Sequence, residues 1–113
     1  MAQVRWSSLA ERDLQALLDW LAGHRGPDAA ASVYLSIVEA VARAAEHPEL
    51  YAWVGSVHAS VALLPKTIRR VVIARYGLIL FYEWRPDQSQ IRVVRLRGGR
   101  QRPPSSQDLA PSE

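Results

Sequence analysis

The chain has 113 residues, enough for one compact domain that hides roughly 60–70% of the surface its unfolded form exposes. With 49% hydrophobic residues and no cysteine, the composition excludes a disordered protein, a disulfide scaffold, a thiolate zinc site and a cysteine nucleophile. The net charge of +3 conceals a gradient: residues 1–64 carry four Arg against seven acids (−3), residues 65–102 ten Lys and Arg against Glu83 and Asp87 (+8), and residues 103–113 two acids (−2).

An acidic first half joined to a basic second half predicts a surface that meets a polyanion or an acidic partner. Met1 to Gly23 is interrupted by Glu11, Arg12, Asp13 and Asp19, so no secretory leader is expected. The longest charge-free stretch, residues 50–65, falls short of the roughly 20 apolar residues a membrane helix needs. A soluble, cytoplasmic protein without membrane contact is the expectation.

In chain order, Val4-Arg-Trp6 reads as an edge strand. Ser8-Leu-Ala-Glu11 fits a capping box and predicts a helix start, after which Ala10, Leu14, Leu17, Leu18 and Leu21 line one face. Gly23 and Gly26 end that helix; Pro27 and Asp28 open a second, whose apolar face is Ala30, Val33, Tyr34, Ile37, Val38, Val41 and Ala45. Pro48 stops it. A connection of about five residues predicts an antiparallel helical hairpin. Residues 49–66 show no clean period and read as a long, partly packed loop.

From Thr67 the period changes to two. Residues 67–75, 78–84 and 90–97 predict three antiparallel strands, separated by turns at Tyr76-Gly77 and Pro86-Asp87. The middle strand is apolar on both sides, with Leu78, Leu80, Tyr82 and Trp84 opposite Ile79 and Phe81, so it should lie inside the sheet. The expected fold is α+β: an N-terminal edge strand and an antiparallel helical hairpin packed on a three- to four-stranded antiparallel twisted sheet. Residues 1–102 form this single domain, and 103–113, rich in Pro, Ser and Gln, a flexible tail.

Alternation along the last strand puts Ile91, Val93, Arg95 and Arg97 on one face and Arg92, Val94 and Leu96 on the other. Arg69 or Arg70, depending on register, can join Arg95 and Arg97, and Arg100 with Arg102 follows the strand end. These predict a basic patch whose planar guanidinium forks suit phosphate or carboxylate; the bland alternative is a solvated face that resists aggregation. His24, His47 and His58 are isolated, which argues against a catalytic or metal site, and His47 reads as a cation at a helix C-terminus. Gly98-Gly99-Arg100 lacks the frame of a phosphate loop. Trp20 lies off the apolar stripe of its helix, either anchoring a partner or packing under the long loop.

Four stretches carry a resemblance: Val4-Arg-Trp-Ser-Ser-Leu-Ala-Glu-Arg-Asp-Leu14, His47-Pro-Glu49, Ile68-Arg-Arg-Val-Val-Ile-Ala-Arg-Tyr-Gly-Leu-Ile-Leu-Phe-Tyr82 and Arg95-Leu-Arg-Gly-Gly-Arg100. In that order, across residues 3–102, they resemble the RelE/ParE family of toxins from bacterial type II toxin–antitoxin pairs. The resemblance implies an acidic cognate antitoxin that folds on binding and covers Trp20, Trp84 and Phe81, with operator DNA reached only through that antitoxin. It implies no cofactor and no metal. The RelE-like branch cuts mRNA on the ribosome, and in that reading Tyr76, Tyr82, Arg75, Arg100 and Arg102 would do the chemistry. Here, however, Gly77 follows Tyr76 where that branch has an Arg, and no Tyr or His follows Tyr82. A ParE-like toxin that inhibits DNA gyrase by binding through Arg70, Arg95, Arg97, Arg100 and Arg102 is therefore the favoured expectation, with no catalytic residue.

Overall fold

A computed structural model describes residues 1–51 and 68–98. Among the described residues, six strands and α-helices follow one another: β1 (Gln3–Trp6), α1 (Ser8–Arg25), α2 (Pro27–Glu46), β2 (Ile68–Ile73), β3 (Leu78–Arg85) and β4 (Gln90–Gly98). The strands form one sheet in the order β1-β4-β3-β2, and the helical hairpin covers one of its faces. Neighbours β2–β3 and β3–β4 are antiparallel, as expected. The edge strand differs: β1 runs parallel to β4, which makes the sheet mixed. Parallel partners need a crossover between them, and the helical hairpin lies within it.

The start of α1 depends on Ser7, not on Ser8. Ser7 ends the strand ladder by donating its backbone N–H to the Val93 carbonyl at 2.9 Å. Its Oγ accepts from the Ala10 amide at 3.1 Å and donates to the Val94 carbonyl at 3.1 Å. One buried hydroxyl thus caps the helix and ties it to β4, a double use that the spacing to Glu11 did not reveal.

The hairpin turn is shorter than predicted. α1 continues through Gly23 to Arg25, and a single residue, Gly26, separates it from Pro27. Gly26 has φ +93°, a region that side chains with a Cβ resist, so a one-residue reversal requires glycine there. The face of α2 is also rotated from its predicted position. Val33, Ile37, Ala40, Val41, Ala44 and Ala45 are buried, whereas Tyr34 and Val38 are 44% and 43% exposed. The small Ala40, Ala44 and Ala45 turn inward, because alanines let the helix approach the sheet closely.

The core between hairpin and sheet contains Ile37, Val71, Leu80, Tyr82, Ile91 and Val93, each worth roughly 1.5–3 kcal/mol when fully buried as an aliphatic or aromatic side chain. A second cluster of Ile68, Phe81 and Val94 is buried on the opposite face, with Ile79 against it. β3 is thus apolar on both sides and interior, as its sequence predicts. After Ile73 the chain leaves the strand in a 3-10 turn, Ala74–Tyr76, rather than continuing as strand to Arg75.

A β-bulge corrects the predicted faces of β4. Register runs Tyr82 to Val93 and Phe81 to Arg95, leaving Val94 as the extra residue. One inserted residue shifts the alternation of everything beyond it. Leu96 therefore joins Ile91 and Val93 in the helix-facing core, and Arg97 stands opposite Ile79 on the other face, with Arg92 and Val94 on that face as well.

Candidate functional site

The four strands contain seven arginines and one acid, Glu83. The face away from the helices receives most of them because the core-facing positions are taken by aliphatic and aromatic residues. Register places Arg70, Phe81 and Arg95 in one transverse row and Val72, Ile79 and Arg97 in the next. Arg70 and Arg97 are half-buried and flank the apolar strip of Phe81 and Ile79, so two of the expected cations share one surface. Phe81 itself is 1% exposed. Arg100, Arg102 and His58 lie outside the described residues.

Arg95 has a different neighbourhood. Its Nε and a second guanidinium nitrogen donate to the two Asp13 oxygens of α1 at 2.7 and 3.0 Å, a bidentate ion pair. The same carboxylate accepts the Leu96 amide at 3.0 Å. β1 ends level with Val93, and beyond it Asp13 meets a backbone donor that no β1 residue reaches. Asp13 was not a candidate in the sequence, where it reads as one more polar residue off the helix stripe. Only the fold brings it to a residue 82 positions away.

On the helix-facing side, three donors fasten the segment that leaves α2. Arg69 donates to the carbonyls of Glu49 and Tyr51 at 3.2 and 2.7 Å. Tyr82 donates its hydroxyl to the Pro48 carbonyl at 2.6 Å, and Trp84 Nε1 donates to Glu49 Oε1 at 3.2 Å. Residues 48–51 are therefore pinned; the rest of the expected loop, 52–66, lies outside the described residues, as does Thr67. Burial pushes the Tyr82 phenol up to about 12, against a smaller opposing effect of the Arg69 charge. Its ring also meets Tyr51 edge-on, at 6.5 Å between centroids.

The remaining candidates are dispersed. Tyr76 sits in the turn between β2 and β3 with the Arg75 guanidinium 5.3 Å above its ring. Both line a cleft of about 560 Å³ with Trp20, Leu17 and Arg25 at the turn end of the hairpin. Trp20 is 51% exposed, not packed away, and stacks on His24 with ring centroids 4.4 Å apart. His24 Nδ1 is 2.8 Å from the Trp20 carbonyl oxygen. Trp84 is on the helix-facing side near Pro48, so Trp20, Trp84 and Phe81 occupy three separate surroundings. His47 caps α2, its amide donating to the Arg43 carbonyl at 3.0 Å. Among the described residues no three His, Asp or Glu side chains gather as a metal site, and no helix is long and apolar enough to cross a membrane.

A helical hairpin on one face of a four-stranded mixed sheet is the fold of the RelE and ParE toxins. The chain resembles the chromosomal ParDE toxin–antitoxin system from P. aeruginosa at 19% identity and a TM-score of 0.66, over 87% of this chain and 96% of that one. It also resembles the isolated E. coli RelE toxin (11% identity, TM-score 0.53, 89% and 87%) and a chain of the E. coli RelBE toxin–antitoxin complex (11%, 0.53, 89% and 100%). No curated protein matches it in sequence. The family model of the ParE toxin of the type II toxin–antitoxin system, parDE, matches residues 4–103. The chain belongs to that family.

Proposed function

We propose that this toxin inhibits DNA gyrase by binding, without cutting a bond, and that an acidic cognate antitoxin folds on it and neutralises it. The observation that carries this reading is the place of Tyr82. A proton shuttle must exchange protons near the working pH and reach the reacting atom. Tyr82 is buried on the helix-facing side, commits its hydroxyl to Pro48 and holds its proton to about 12. Arg70 and Arg97 stand on the other face of the sheet. Tyr76 is in the β2–β3 turn beside Arg75, in the cleft at the end of the hairpin.

What remains for the basic face is electrostatic grip. Arg70 and Arg97 offer guanidinium forks for phosphate or carboxylate on either side of an apolar strip, and Arg100 and Arg102 follow in the sequence. Arg95 supports that row through Asp13 rather than facing the target. The antitoxin partner follows from the family and from the complexes its fold relatives form; the exposure of Trp20 at the hairpin end supports its reading as an anchor for such a partner.

The reading is tested by purifying the chain with gyrase and DNA. Stalled cleavage complexes are expected, and the double change Arg97→Glu, Arg100→Glu should remove both these and growth arrest while the protein stays folded. Codon-specific cuts in translated mRNA, with no effect on gyrase, would replace this reading by the ribosome-dependent endonuclease.

A further inference from the structure

The two helices differ on their solvent side. From Glu11 to Asp19 the exposed residues of α1 are Glu11, Arg12, Gln15, Ala16 and Asp19, polar but for one alanine. Those of α2 are largely apolar. Leu35 is 61% exposed and stands between the exposed Tyr34 and Val38, with Ala31 exposed and Ala42 half-buried in line with them. At 3.6 residues per turn, residues 31, 35, 38 and 42 fall within an arc of about 60°, and their four-three-four spacing is that of a seam between two packed helices. Tyr34 and Val38 extend the strip into a groove of about 450 Å³ beside Met1 and Val4. A helix that is apolar outside as well as inside is normally covered on both sides.

Charge along the strip selects the cover. Arg25 and Asp28 are at its start and Arg43 and Glu46 at its end, all four exposed. Asp28, Glu39 and Glu46 follow one side of the strip, so an acidic antitoxin segment would be repelled there. A second copy of the chain turned end for end is not. About an axis between Leu35 and Val38, that turn sets Leu35 level with Val38 and Ala31 level with Ala42, each contact made twice. It also brings Arg25 within two residues, about 3 Å along the axis, of the level of Glu46, and Asp28 equally close to that of Arg43. Each end of the strip thus gathers two cations and two carboxylates. Parallel copies would set every charge against itself.

We propose that the outer strip of α2 pairs two copies of this chain as an antiparallel, twofold-symmetric dimer. Leu35 and Val38 fill the middle of the contact, and the small Ala31 and Ala42 let the backbones approach toward its ends. The contact uses neither Arg70 nor Arg97, so it stands or falls independently of the gyrase reading.

The test is the mass of the full chain at sedimentation equilibrium, with its concentration raised from about 1 µM to about 1 mM. Monomer should give way to dimer and to nothing larger, because a twofold contact closes on itself. Leu35→Glu, at an exposed position, should weaken the dimer about a hundredfold, since an acid replaces an apolar side chain that the contact buries twice. Asp28→Arg or Arg43→Asp alone should weaken it about fivefold, and the two changes on one chain should restore it to within about twofold. Far-UV circular dichroism, expected unchanged, checks that each variant keeps its helices. A chain that stays monomeric to about 1 mM, a dimer indifferent to Leu35→Glu, or charge changes that add instead of cancelling would each overturn the proposal.

Discussion

Arg69 and Arg70 are consecutive residues of one strand, yet they belong to different machines. Arg69 turns toward the helices, where its guanidinium binds the carbonyls of Glu49 and Tyr51 and fastens the chain leaving α2. Arg70 turns away, beside Phe81, on the face where Arg97 also stands. The first arginine is structural because its hydrogen bonds go to two backbone oxygens of the segment it holds. The second belongs to a surface with an excess of positive charge. The two sides of one sheet thus give consecutive arginines different surroundings, and the division is set by alternation along the strand.

The largest effect that would sharpen this comparison is expected in the helix-facing core. Leu80→Ala, at a position with no exposure, should cost about 2–5 kcal/mol in urea unfolding, because the cavity adds to the lost burial. Next comes Asp13→Ala, which removes the acceptor shared by the Arg95 guanidinium and the Leu96 amide. A loss of about 2–3 kcal/mol is expected, measured the same way, and an unchanged midpoint would mean that the α1–β4 clasp contributes nothing. Arg69→Gln should cost about 1–2 kcal/mol through its two carbonyl contacts. Arg70→Gln should fall within about 0.5 kcal/mol and instead weaken growth arrest. Equal stability losses for the two neighbours would break the division.

Tyr82 gives a pH version of the same contrast. Its folded value is raised from 10.0 to about 12, so folding favours the neutral phenol. The stabilisation from that preference is complete below pH 10 and disappears as pH rises from there through about 12. Tyr82→Phe loses the bond to Pro48 and should lower stability at neutral pH by about 1 kcal/mol, yet it should lack this alkaline decline. Unfolding midpoints for both proteins on the two sides of pH 10 would reveal it.

The hairpin, the three later strands and the interior position of β3 were legible in the sequence because they rest on periods of about 3.6 and 2 in apolar residues. The basic character of the second half was legible too, from composition alone. Which arginines share a face was not. Alternation placed Arg95 with Arg97 and with the core residues Ile91 and Val93, and the Val94 bulge moved that boundary by one residue. Nothing in the letters around Val94 marks the insertion, since it is a property of the pairing with β3. The cap at Ser7 escaped for a similar reason: its second bond is to Val94, 87 positions away.

By itself, then, the sequence determined the elements and the sign of the charge, since both depend on side chains near in the chain or on their sum. Tertiary structure decided the parallel course of β1 and the capture of Arg95 by Asp13. These depend on register and on the docking of α1, where a shift of one residue exchanges the faces of a strand and so changes which charges become neighbours.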